Sequence, residues 1–117
     1  MIRVNKNNVI EMTRGDTLLV RVVPTRAGAP YVPIEGDSIR FALKSNKMDY
    51  AKTKFKDTTP LVLKNVPLDT LLLRLDPEDT KELPFGEYIY DVQLTQADGF
   101  VSTFVANTRF KLCEEVD

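Results

Sequence analysis

In the segment Glu87-Tyr88-Ile89-Tyr90-Asp91-Val92-Gln93-Leu94-Thr95, Tyr88, Tyr90, Val92 and Leu94 occupy every second position. This is the period of a β-strand with one face in a core; a helix would scatter the same residues around its circumference. Residues 38–44 repeat the pattern, with Ile39, Phe41 and Leu43 inward. So do residues 17–23, with Leu18, Val20 and Val22 on one face. Further strands are expected over residues 61–63, 70–75, 100–106 and 109–113, and a short edge strand over residues 9–12. In the 70–75 strand Leu71 and Leu73 are assigned inward, with Leu72 competing for the interior.

Turn chemistry separates these runs. Arg14-Gly15-Asp16, Gly28-Ala29-Pro30, Glu35-Gly36-Asp37 and Ala97-Asp98-Gly99 combine a glycine that accepts positive φ with, in three of the four, an aspartate that bonds its local backbone. In Asp76-Pro77-Glu78-Asp79-Thr80-Lys81, Asp76 can cap one helical turn, Pro77 fits its first position and Glu78 and Asp79 face its positive end. Pro84 prevents continuation. Many short strands and one helical turn in 117 residues describe a single all-β domain over residues 1–117, an antiparallel β-sandwich. Residues 45–60 are the least regular stretch and are expected to be the most mobile.

The composition removes most chemistry. No histidine is present, so the side chain best suited to proton transfer near neutral pH and to metal binding is missing. The single cysteine, Cys113, cannot pair within the chain and sits in an alternating strand, where it reads as a small filler. Phosphate-binding glycine loops and calcium loops are absent. Asp76, Glu78 and Asp79 are explained by capping, and Glu114, Glu115 and Asp117 by solubility. No catalytic, metal or cofactor-binding residue is assigned, and an enzyme is not expected. With 16 basic and 17 acidic residues, no nucleic-acid partner is expected either. The cluster of Lys44, Lys47, Lys52, Lys54 and Lys56 is interrupted by Asp49 and Asp57 and reads as solvated. Arg14-Gly15-Asp16 matches an adhesion tripeptide but fits a β-turn. No signal peptide and no membrane insertion are expected. Glycan binding needs exposed planar rings; there is no tryptophan, Tyr88 and Tyr90 belong to the core face, and Tyr31 and Tyr50 read as loop anchors with hydroxyls in water.

Met12-Thr13-Arg14-Gly15-Asp16-Thr17, Gly36-Asp37-Ser38-Ile39-Arg40-Phe41 and the run from Leu83 through Pro84, Phe85 and Gly86 to Leu94, followed by Asp98-Gly99, together resemble an immunoglobulin-like domain. The family is that of tailed-phage and prophage structural proteins, closest to the N-terminal domain of baseplate upper proteins. The resemblance spans residues 10–116 and rests on turn and strand signals. It implies an immunoglobulin-like sandwich that docks on other virion proteins, carries no catalytic residues and resides in a virion or the bacterial cytoplasm. Partners would be other virion or bacterial proteins, or a second copy. Two alternatives stay open: a small carbohydrate-binding module, and a bacterial immunoglobulin-like accessory domain.

The hairpin after Leu94 admits two registers. A tight Asp98-Gly99 turn pairs Ala97 with Phe100; a three-residue loop of Ala97, Asp98 and Gly99, with Gly99 left-handed, pairs Gln96 with Phe100. The second is preferred because it sets Phe104 across from Val92 and Ala106 across from Tyr90, on the core side. Ile89, Val101 and Val105 then point away from the core, as a modest partner-contact face.

Overall fold

The computed structural model describes residues 2–45, 48–49, 55–56 and 60–114. The strands are β1 (Ile2–Val4), β2 (Ile10–Thr13), β3 (Leu18–Arg21), β4 (Thr25–Arg26), β5 (Ala29–Pro30), β6 (Ser38–Ser45), β7 (Met48–Asp49), β8 (Phe55–Lys56), β9 (Pro60–Val66), β10 (Leu72–Leu75), β11 (Gly86–Thr95) and β12 (Val101–Cys113). One helical turn, α1 (Pro77–Thr80), lies between β10 and β11. The chain is all-β with one short helical turn, as its alternation and its Asp76-Pro77 start signal predict. The mobility expected of residues 45–60, the reading of the lysine cluster beyond Lys44 and that of Tyr50 lie outside the described residues.

Six strands form one sheet in the order β1-β2-β12-β11-β6-β9, and β10 and β3 form a second, two-stranded sheet against it. β4 with β5 and β7 with β8 make small separate ladders. Ile39, Phe41, Leu43, Tyr88, Tyr90, Val92 and Leu94 are buried on the large sheet's inner face, as the period requires. Leu18, Val22, Leu73 and Leu75 cover them from the small sheet. At the centre the rings of Phe41, Tyr90 and Phe110 pack with centroids 5.4 to 6.5 Å apart, within the range of favourable tilted pairs.

Three expectations are corrected. The 9–12 segment is not an edge: β2 lies between β1 and β12, and it runs parallel to β12, so the sheet is not purely antiparallel. Met12 and Ile10 are among the most buried residues, which an edge position would not achieve. The 70–75 strand begins only at Leu72, because Leu71 takes φ 56 in a turn closed by its N–H donating to the Pro67 carbonyl at 2.8 Å. Leu71 still packs on the core, and Leu73 is buried.

The third correction concerns β12. The three-residue hairpin forms: Gln96 N–H donates to the Phe100 carbonyl at 2.8 Å, and Gly99 has φ 92. Thr95 pairs with Val101 and Gln93 with Thr103, but then Val92 pairs with Val105 and Tyr90 with Thr108. Two extra residues are therefore bulged out of β12 between Thr103 and Thr108. Phe104 is not directly opposite Val92, and Ala106 is exposed rather than facing Tyr90. Phe104 and Val105 both become half-buried against the core. Because two bulges restore the original parity, Phe110 and Leu112 still face inward.

Candidate functional site

The large sheet is wider than its roof. β3 is bonded only to β10, through Leu72–Arg21 to Leu75–Leu18, and Val22 N–H continues the ladder to the Leu71 carbonyl at 2.8 Å. Alternation along the strand turns the N–H and C=O of Leu19 and Arg21 the other way. Among the described residues nothing bonds to that side. Beneath this open edge lies a cleft of about 270 Å³. Val20, Val22 and Val23 form one wall, Phe104 and Val105 the other, and Ile10, Tyr90 and Val92 line the base; Val4, Leu73, Asn8, Arg21 and Thr25 complete the lining. Pro24 follows Val23 without an N–H, so the ladder cannot run further. Ser102 Oγ lies 3.5 Å from the Thr25 carbonyl.

The β12 bulges build one wall of this cleft. Asn107 adopts φ 47, and its N–H donates to Asp91 Oδ1 at 2.7 Å, while Lys44 Nζ meets Asp91 Oδ2 at 2.7 Å. This clamp displaces the register that would have turned Val105 outward. The burial of Tyr90 raises its pKa to about 12, keeping its hydroxyl protonated to donate to the Asn8 carbonyl. That bond fastens the β1–β2 turn to the base of the cleft.

The expected contact face does not come together as one surface. Ile89 is buried at 7%, with Lys44 and Arg109 directly opposite it; long basic side chains cover apolar surface with their stems. Val105 is half-buried against the core, and Val101 alone of the three is exposed, at 54%. Sequence reasoning missed the cleft because it depends on which sheet each strand joins. Pro24 directly after an apolar strand signals where the ladder with β10 stops, but no local signal says which side of that strand is left open.

The carboxylates with described partners are structural in their contacts. Asp37 is buried; Oδ2 accepts from Tyr31 Oη at 2.7 Å and Ile34 N–H at 3.0 Å, and Oδ1 from Ala97 N–H at 3.3 Å. The Ile34 N–H and then the Tyr31 hydroxyl hold its pKa below the ordinary value. The same bond raises Tyr31, whose hydroxyl also accepts from Gln96 Nε2 at 2.9 Å and so is not left to water as expected. Asp79 accepts the Asp76 N–H at 2.7 Å and pairs with Lys64 at 2.9 Å; Asp76 itself pairs with Arg74 at 2.7 Å, which lowers its pKa. Arg14, in the expected turn, donates to the Leu83 carbonyl and lies 4.1 Å from the Phe85 ring centroid. Cys113 is half-buried. No group of metal-ligating side chains occurs among the described residues, and none of their helices is long and apolar enough to cross a membrane. Comparison with family models, curated proteins and solved structures finds no match.

Proposed function

We propose that this chain is a non-catalytic structural or adaptor protein of a tailed phage or prophage, associated with the baseplate or tail and acting through protein–protein contacts. The observation that carries the contact reading is the unpaired edge of β3 above an apolar cleft, a combination that proteins otherwise blunt or cover. The phage assignment rests on the resemblance in turn and strand motifs. Tyr88 adds to it: its hydroxyl donates to the Pro84 carbonyl four residues upstream, the kind of contact that fixes a corner in immunoglobulin-like sandwiches. The contacts of Asp37, Asp76, Asp79 and Asp91, which support a turn, a helix cap and a bulge, favour a scaffold over a reaction centre. A glycan module has less support, since the half-exposed rings of Phe85 and Phe100 each already carry an arginine, Arg14 and Arg26, on a face.

The test is mass spectrometry, with chemical crosslinking, of particles induced from a strain carrying the gene. The chain is expected in the tail fraction, crosslinked to another virion protein. Its absence from particles, together with saturable retention on a polysaccharide, would replace this reading by the carbohydrate module.

A further inference from the structure

Resting on that contact reading, we propose that the β3 edge takes up an extended segment of a partner protein as an added strand, lying over the cleft and presenting an acidic side chain to Arg21. Backbone geometry selects the form of the occupant. Leu19 and Arg21 offer two N–H and two C=O groups to one side, which only another strand satisfies in register. A strand there would continue the two-stranded sheet across the unroofed part of the large sheet. Its inward side chains would descend on Val92, Phe104 and Val105 and must be apolar.

Charge selects the partner over a second copy. Arg21 is exposed and has no ion pair among the described residues, with exposed Leu19 and Val23 on either side of it along the same face. Two copies joined antiparallel through this edge with Leu19 opposite Val23 would set Arg21 against Arg21, and the other register, with Leu19 opposite Arg21, would leave each guanidinium facing an aliphatic side chain and no carboxylate. Like charges directly opposite destabilise a ladder, whereas an acidic residue opposite Arg21 strengthens it. The outer face of the missing strand thus carries a carboxylate where it meets Arg21, and its inner face is aliphatic.

The probe is a short blocked peptide, Thr-Val-Thr-Val-Glu-Val-Thr, titrated into the full chain and followed by amide exchange and chemical-shift changes. Binding is expected to slow exchange at Leu19 and Arg21 and to shift Val105. Replacing the peptide's Glu by Lys is expected to weaken binding about threefold, and Arg21→Glu to invert that preference. Arg21→Gln, which removes the charge without reversing it, is expected to abolish the preference while leaving the edge able to bind. Unslowed exchange at Leu19 and Arg21 with millimolar peptide, or equal affinity for the two peptides, would overturn the proposal. So would a dimer of the chain alone with those amides protected, since the occupant would then be a second copy. Crosslinks from tail particles to other faces, with this edge unprotected, would also overturn the strand site while the contact reading survived.

Discussion

Asp37 shows how one side chain ties together segments far apart in sequence. Its carboxylate collects a hydroxyl and two backbone N–H groups, joining the 31–37 turn to the hairpin at Ala97. Gly36 sits in the same junction, where a Cβ would lie 2.9 Å from that of Ala97 at a φ of 94, so larger residues are excluded twice over. Because the donors favour the charged form, the folded-state pKa of Asp37 lies below its unfolded value. The stabilisation is complete above the unfolded pKa and is lost as pH falls through the folded one. Asp37→Asn keeps the shape but not the charge. Urea denaturation is expected to show wild type more stable near neutrality, with the gap to Asp37→Asn narrowing as acid is added. A gap independent of pH would assign the effect to packing. The sequence signalled a turn here through Glu35-Gly36-Asp37, but not the reach to Ala97, which depends on how the chain folds back over sixty residues later.

At the scale of elements, the β11–β12 hairpin separates what local pattern determines from what it does not. Its loop was legible: Asp98-Gly99 is compatible with either turn, and the value of burying Phe104 chose the three-residue form. The bulges were not, since alternation counts residues along one strand and cannot see an extra residue relative to the neighbour. The positive φ of Asn107 is the one local trace, and asparagine tolerates that conformation better than any β-branched residue. Asn107→Gly is therefore expected to change stability by less than about 0.5 kcal/mol, while Asn107→Val costs about 1–2 kcal/mol in left-handed strain. Asp91→Ala removes both the Asn107 and the Lys44 contacts and is expected to cost about 1–3 kcal/mol, and to shift the amide of Val105 as the clamp relaxes. Thermal melts of the three variants order them. If Asn107→Val matches Asn107→Gly, the bulge does not hold that backbone conformation. Ile89 was misread for a related reason: its alternation with Tyr88 and Tyr90 correctly put it off the core face, yet neighbouring long side chains can bury a residue on either face.

Across the whole molecule, the all-β class followed from alternation, whereas membership of each sheet did not, because pairing partners are distant in sequence. The most distant is β2 with β12, Ile10 beside Phe110 and Met12 beside Leu112. A chain without histidine, whose described carboxylate contacts are structural, is expected to give no turnover above buffer with esterase, phosphatase or glycosidase substrates. Turnover lost on changing one carboxylate would reverse that expectation. The unequal roles of the first two strands give the sharper physical test. β1 is exposed along its length and, among the described residues, pairs only with β2, at the rim of the sheet and of the cleft. β2 instead contributes Ile10 and Met12, at 1% and 0% exposure, and links the beginning of the fold to its end. Deleting residues 1–4 is thus expected to lower the melting temperature slightly and leave one cooperative transition. Met12→Ala, with no residue deleted, is expected to cost about 2–5 kcal/mol through the lost contacts and the cavity left between β2 and β12. Should the deletion prove the more damaging of the two, the stabilising unit would be the β1–β2 ribbon, and the parallel pairing of β2 with β12 would be a consequence of it rather than the tie that closes the fold.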